Sequence, residues 1–177
     1  NQAGSELQDA ALMGKKAGEK RLQTKEDLTS VDKEDAMERL RQLVKRDKPV
    51  KWVFLGDSIT HGALHTFGWR DYVELFDERV RYELGRGMDV VIKTAISGHS
   101  TRELLATLDW RVKQFQPDAV LLMIGMNDCS TGRGISREEF KGNLHKLAQE
   151  MTQSGTLVVL QTTCTVLTGR AGDREAN

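Results

Sequence analysis

The sequence predicts an α/β fold in which helices cover a central parallel β-sheet. Four short apolar runs, at residues 52–55, 90–92, 120–124 and 157–160, alternate with longer stretches of helical periodicity, which is typical of that class. A chain of 177 residues is long enough to bury a substantial core. Its two cysteines exclude a disulfide-dense scaffold and a four-cysteine zinc site.

The segment before the first predicted strand divides into two parts. Residues 1–29 mix glycines with Lys, Glu, Gln and Asp and show no sustained apolar period, so we predict a flexible charged tail or linker. From residue 30 apolar side chains recur at helical spacing until Pro49, which predicts an amphipathic lead-in helix over 30–48. Residues 50–177 then contain the predicted sheet.

Three stretches between the strands have the apolar stripe of a helix that packs on a sheet. The first stripe is Trp69, Tyr72, Val73, Phe76 and Val80; the second is Leu105, Leu108, Val112 and Phe115; the third is Phe140, Leu144, Leu147 and Met151. In sheets of this kind, the loops at the carboxyl ends of the strands carry the functional site.

Charge and composition exclude several classes of function. Lys plus Arg and Asp plus Glu both total 26, so no net positive charge is available to attract nucleic acid. The longest apolar runs fall far short of the roughly 20 residues that span a bilayer. No phosphate-binding loop or metal-binding spacing is present, so we expect no cofactor and no metal. Oligomeric state, cellular compartment and the pairing of Cys129 with Cys164 are left open.

Each of the first three predicted strands ends in a loop of small and polar residues. These loops read GDSITHG at 56–62, ISGHST at 96–101 and GMND at 125–128. Taken singly, each has an ordinary interpretation, because Asp57 or Ser58 is a common helix cap and Asn127 a common turn residue. Together they would bring a serine, a glycine backbone and an amide to one sheet edge, as a nucleophile and its oxyanion donors require.

These three blocks resemble those of the SGNH or GDSL-type esterases and lipases. GDSIT matches the first family block, Gly98 the glycine of the second and GMND the third, over about residues 50–161. The resemblance implies a flavodoxin-like three-layer α/β/α fold. It also implies that Ser58 is the nucleophile, with the backbone N–H groups of Ser58 and Gly98 and the Asn127 side chain as oxyanion donors. The serine loop is not the G-x-S-x-G of α/β-hydrolases.

The family's fourth block, D-x-x-H, supplies the base and its orienting acid, and it is not found here. The residues three positions before the four histidines are Ser58, Gly62, Ile96 and Gly142, none of them aspartate. We therefore expect residues 50–177 to be an incomplete hydrolase domain, truncated at the carboxyl end. We also expect this chain alone to have little activity, because a serine hydroxyl needs a base.

Further residues near the predicted pocket are assigned to substrate binding or to turn support. His61, His65 and His99 lie in or beside the loops and, with Trp69 and Arg70, are predicted to line a polar and aromatic cleft suited to a sugar. Trp69 has an equally good interpretation as helix core. Gly56, Asp57 and Asp128 are predicted to support the turns.

The predicted function is a serine esterase that forms an acyl-enzyme on Ser58. A small-molecule ester is the expected substrate, with a short acyl group on a carbohydrate preferred over a lipid ester. Two alternatives stay open: an acyltransferase with the same residues, and a non-catalytic binding module that keeps the pocket without its base. A receiver-like or flavin-binding domain is disfavoured because the loops have neither an acidic cluster nor a phosphate cradle.

Overall fold

A computed structural model describes residues 27–63 and 66–166. The chain divides into two compact units, Asn1–Glu38 and Arg39–Asn177. Helix α1 spans Asp27–Lys45, so it begins and ends three residues before the predicted helix at 30–48. It stops early because the chain bends at residues 46–48, where the Arg46 guanidinium donates to the carbonyls of Lys48 and Pro49 at 3.2 and 2.6 Å. Most of the predicted tail lies outside the described residues.

The sheet has four parallel strands in the order β2-β1-β3-β4. They span Lys51–Gly56 (β1), Val90–Lys93 (β2), Ala119–Met123 (β3) and Leu157–Gln161 (β4), close to the predicted runs. In register, Phe54 of β1 lies opposite Lys93 of β2 and Leu121 of β3. All described strands point the same way, so their carboxyl ends lie at one edge.

Helices connect successive strands. They are α2 (Ser58–His61), α3 (Tyr72–Tyr82), α4 (Thr101–Ala106), α5 (Leu108–Arg111) and α6 (Arg137–Thr152). The second predicted helix is thus broken into α4, α5 and a 3₁₀ turn at Lys113–Phe115. The break falls at Thr107, whose hydroxyl donates to the Glu103 carbonyl at 2.6 Å, an alternative to regular helical bonding.

Alternate residues of the central strand β1 pack into two separate cores, as expected for a sheet covered on both faces. Val53 and Leu55 join a cluster with helices α4, α5 and α6, while Trp52 and Phe54 join one with α3 and the end of α1. In the second cluster the Phe76 ring lies 5.4 Å from Trp52 and 5.0 Å from Phe54. The three-layer α/β/α arrangement is confirmed.

Trp69 does not belong to the first helical stripe, so its interpretation as helix core is wrong. The side chain of Asp71 accepts from the N–H groups of Val73 and Glu74 and caps the helix, which therefore begins only at Tyr72. Trp69 falls in the preceding turn, where it is 81% exposed. Among the described helices, none is both long and apolar enough to cross a membrane.

A buried ion pair joins the amino ends of β1 and β2. The Asp89 carboxylate accepts from Arg86 at 2.8 and 2.9 Å, from the backbone of Val50 at 2.9 Å and from the Trp52 indole at 3.0 Å. Arg86 also donates to the carbonyls of Val44, Arg46 and Lys48. Burial acts to raise the pKa of Asp89, but the hydrogen bonds outweigh it and lower that pKa. This pair fixes where both strands start.

Replacing Arg86 by methionine is expected to lower the free energy of unfolding by about 3 kcal/mol, because it leaves the Asp89 charge buried without its partner. Urea denaturation measures the change. Arg79→Met is the matched control, since it removes an exposed arginine that pairs with the exposed Glu83. Equal unfolding midpoints for the two variants would contradict the proposed importance of the buried pair.

Candidate active site

The first loop of the candidate site places Ser58 at the start of helix α2. Gly56 ends β1 in a space that admits no side chain, since a Cβ there would lie 2.3 Å from the Met123 carbonyl oxygen. The buried Asp57 caps the helix by accepting from the Ile59 N–H at 3.0 Å. Ser58 follows, half-buried, as the first residue of α2.

The second loop runs alongside the first. The Ile96 N–H donates to the Gly56 carbonyl at 3.2 Å, which continues the β1–β2 pairing into the loops. A turn then closes with a bond from the His99 N–H to the Ile96 carbonyl at 3.3 Å. Gly98 adopts a left-handed conformation, with φ of +81°, which favours glycine. Within the described residues, its N–H has no protein acceptor.

The third loop contributes Asn127. Its side-chain Nδ2 donates to the His99 carbonyl at 2.9 Å, so Asn127 is tied to the loop that carries Gly98. An amide nitrogen has two hydrogens, and among the described residues only the bond to His99 is found for Asn127 Nδ2. The structure thus brings the loops of Ser58, Gly98 and Asn127 together at the carboxyl edge of the sheet.

His61 ties the first loop to the second. Its Nδ1 accepts from the Ser97 backbone N–H at 3.2 Å and lies 3.0 Å from the Ser97 hydroxyl. Because a backbone N–H can only donate, Nδ1 is the acceptor, and neutral His61 carries its proton on Nε2. Neither nitrogen of this tautomer is free to take a proton from a nucleophile.

Two buried carboxylates lie beneath these loops. The Asp128 carboxylate accepts from the N–H and hydroxyl of Thr101 at 3.0 and 2.5 Å, which holds the start of α4 against the third loop. One oxygen of Asp57 and one of Asp128 are buried without a partner among the described residues. Burial raises the pKa of Asp57, and the nearby Asp128 charge raises it further. Both residues occupy positions suited to the turn support that was predicted.

The remaining predicted binding residues are less closely associated with Ser58. His99 has a buried Nδ1 with no described partner, and burial together with the Arg111 charge lowers its pKa. Trp69 lies on an exposed turn, and Arg70 pairs with Glu78. His65 lies outside the described residues.

Two features of this region were not predicted from the sequence. Arg111 is fully buried, and its three guanidinium nitrogens have no hydrogen-bond partner in the described part of the chain. Arg133, after β3, donates to the Gly98 carbonyl and to Glu103. The S-x-x-E pattern at 100–103, a capping box, was a local signal for Glu103, but no local pattern marks either arginine.

The chemistry available to this site is that of a serine with several N–H donors. Across residues 27–63 and 66–166, the Ser58 hydroxyl has no hydrogen-bond partner. The same residues include no group of three or more His, Cys, Asp or Glu side chains placed to hold a metal ion. Neither Cys129 nor Cys164 forms a disulfide bond in the described structure.

Comparisons with known proteins point to one family. The model of the GDSL-like lipase/acylhydrolase family matches residues 54–177. An arylesterase of Vibrio mimicus is 33% identical over 111 residues, which cover 62% of this chain and 52% of that protein.

Solved structures agree with that match. The lipase/acylhydrolase of Enterococcus faecalis superposes with a TM-score of 0.60 at 28% identity, covering 71% of this chain and 63% of that one. The acetyl xylan esterase AlAXEase also gives 0.60, at 25% identity over 70% of this chain and 66% of its own. The chain therefore spans between about half and two thirds of the length of these proteins.

Substituting Asp57 by asparagine tests the buried carboxylate. Because the folded pKa of Asp57 is raised above its ordinary value of 3.8, its contribution to stability is full below that value and is lost as the pH rises through the folded pKa. Asparagine keeps the cap on Ile59 and does not ionise. We expect the stability of Asp57→Asn relative to wild type to increase with pH, measured by chemical denaturation at several pH values.

The control is Asp57→Ala, which loses the cap and is expected to be less stable than wild type by about 1 kcal/mol below pH 3.8. A stability difference between Asp57→Asn and wild type that stays constant or falls with rising pH would contradict the raised pKa.

Proposed function

Because the chain belongs to the GDSL-like lipase/acylhydrolase family, we propose that it acts in ester hydrolysis through an acyl-enzyme on Ser58. The observation that carries the proposal is the set of hydrogen bonds that join three loops at one edge of the sheet. His61 bonds to Ser97, and Asn127 bonds to His99, so Gly98 is held between the nucleophile loop and the amide. Such preorganised donors stabilise developing charge without reorganisation during the reaction.

In the proposed reaction, the Ser58 oxygen attacks the ester carbonyl carbon while its proton passes to a base. The carbonyl oxygen becomes an oxyanion that accepts from the N–H groups of Ser58 and Gly98 and from Asn127 Nδ2. Collapse of this intermediate expels the alcohol, which takes the proton, and leaves the acyl group on Ser58. Water then attacks the acyl-enzyme in the same way, with its proton passing to the base, and the carboxylic acid is released as Ser58 regains its proton.

The base is not one of the described histidines near the loops. The Nδ1 of His61 accepts from the Ser97 N–H. The Nδ1 of His99 is buried without a partner among the described residues, and burial and the Arg111 charge lower the pKa of its ring. The base in this proposal therefore comes from a residue outside the described ranges. His65 is one such residue. The same reasoning keeps a second candidate open, a binding module without turnover, since the Ser58 hydroxyl has no hydrogen-bond partner within residues 27–63 and 66–166.

For the substrate we propose a short acyl group carried by a carbohydrate. Two large aromatic side chains, Phe67 and Trp69, are 91% and 81% exposed on one turn. That turn is connected to the Ser58 helix, since the Thr66 hydroxyl donates to the Gly62 carbonyl at 2.8 Å and the Gly62 N–H to the Ser58 carbonyl at 3.0 Å. Exposed aromatic faces suit stacking on a sugar ring, and the similarity to an acetyl xylan esterase supports this class.

Ser58→Ala is expected to abolish ester hydrolysis with the fold intact, because it removes the nucleophile. Asn127→Ala is expected to lower kcat by on the order of 10²- to 10³-fold, the usual effect of losing one oxyanion donor. Release of nitrophenol from its acetate ester by the intact protein measures both. If wild type and Ser58→Ala hydrolyse the ester equally, the hydrolase proposal fails. If wild type binds the ester without hydrolysing it, the protein is instead a binding module without turnover.

Trp69→Ala tests the carbohydrate proposal. We expect a raised KM for acetylated xylo-oligosaccharides and an unchanged kcat/KM for nitrophenyl acetate, because only the sugar needs the aromatic face. Tyr82→Ala, which removes an equally exposed aromatic side chain at the end of α3, is the matched control. An unchanged KM for the oligosaccharides, or equal effects of the two substitutions, would reject the role of Trp69.

A further inference from the structure

We propose that Arg133 is a positioning residue that holds Gly98 in the conformation required of an oxyanion donor. This inference rests on the proposed function of Gly98. Arg133 lies in the 3₁₀ turn Thr131–Arg133 after β3, and its Nη2 donates to the Gly98 carbonyl. Within the described residues, its side chain forms hydrogen bonds to Gly98 and Glu103 and none to Ser58 or Asn127, so its proposed action is through Gly98.

The need for such a contact follows from the backbone at Gly98. Gly98 has a φ of +81° and no Cβ, and glycine has more conformational freedom than any other residue type. Among residues 27–63 and 66–166, its N–H has no acceptor to fix it. On its amino side, Ser97 is held by His61. On its carboxyl side, the Gly98 carbonyl is held by Arg133. The two contacts together leave the intervening N–H in one orientation.

The Arg133 guanidinium lies on the side of Gly98 from which a side chain would project. A Cβ on Gly98 would lie 4.0 Å from Arg133 Nη2, an ordinary van der Waals distance, and among the described residues beyond its chain neighbours no atom would lie closer. Arg133 thus covers the face of the turn that glycine leaves open. A side chain at residue 98 would also strain the left-handed backbone.

The guanidinium is itself fixed by an ion pair. Arg133 Nη1 donates to Glu103 Oε1 at 3.1 Å, while Glu103 Oε2 accepts from the N–H and hydroxyl of Ser100 at 2.7 and 2.5 Å. Burial acts to raise the pKa of Glu103, but these bonds and the Arg133 charge lower it to about 2. Glu103 is therefore ionised at neutral pH, and its charge compensates that of Arg133, which disfavours Arg133 as a site for an anionic substrate.

The turn that carries Arg133 is anchored separately. Arg102 donates to the carbonyls of Arg133 and Gly134 at 3.2 and 3.1 Å, and its guanidinium also bonds both carboxylate oxygens of Glu139 at 2.5 and 2.7 Å. Arg102 holds the backbone of the turn against α4 and α6, so the loss of the Arg133 side chain alone leaves the turn in place. This separation lets the positioning role be tested without unfolding the loop.

The experiment compares Arg133→Met, Arg133→Lys and Arg79→Met in the intact protein. We expect Arg133→Met to lower kcat for nitrophenyl acetate on the order of tenfold, less than the loss of a whole oxyanion donor, because the Gly98 N–H is displaced but still present, with KM changed less than about twofold. Arg133→Lys, which keeps a donor to the Gly98 carbonyl, is expected to recover part of the loss. Arg79→Met, a matched loss of one exposed ion pair, is expected to leave kcat unchanged.

A second readout does not depend on turnover. In a proton–nitrogen correlation spectrum, Arg133→Met is expected to shift and broaden the Gly98 amide peak, and Arg79→Met to leave it in place. An unmoved Gly98 peak, an unchanged kcat, or a change in KM alone would overturn the positioning role. If the wild type hydrolyses no ester, the proposed function fails, and the Gly98 peak then decides whether Arg133 positions this residue.

Discussion

The parallel pairing of β1 between β2 and β3 is the constraint on which the candidate site depends. Three strands that run in the same direction end at the same edge, so the loops that follow them are neighbours although they are far apart in sequence. The close approach at Gly56, where no side chain fits beside the Met123 carbonyl, brings the ends of β1 and β3 into contact. Ser58 lies two residues after the end of β1, and Asn127 lies four residues after the end of β3.

The loops are then linked to one another by hydrogen bonds rather than by a shared apolar core. His61 contacts the second loop, Asn127 contacts it from the other side, and Asp128 holds the start of α4. Each bond is worth little by itself, on the order of 1 kcal/mol. Their combined effect is geometric, because they restrict the loop carrying Gly98 on both sides, while the Gly98 N–H has no acceptor in the part of the chain that the structure describes.

The two ends of the sheet differ in how completely their polar groups are satisfied. At the amino end, both oxygens of the buried Asp89 are hydrogen-bonded, which suits a structural role. At the carboxyl end, Asp57, Asp128 and His99 each keep a buried polar atom without a described partner. Buried polar groups without partners reduce the stability of a fold, so within the described structure the carboxyl end of the sheet contributes less to stability than the amino end.

The sequence by itself determined the class of fold, the four strands and the three loops that make up the candidate site. Alternation of apolar residues and short loop motifs are local signals, and the residues GDS, Gly98 and GMND could be read from them directly. The positions where helices begin, end or break depend on local hydrogen bonds, which the periodicity of apolar residues does not reveal. Helix α1 ends at the Arg46 bend, Thr107 breaks the second helix, and Asp71 excludes Trp69 from the next. Only the tertiary structure decided that His61 bonds to Ser97 and that Arg133 holds Gly98, since each joins residues about 35 positions apart and depends on which strands are neighbours.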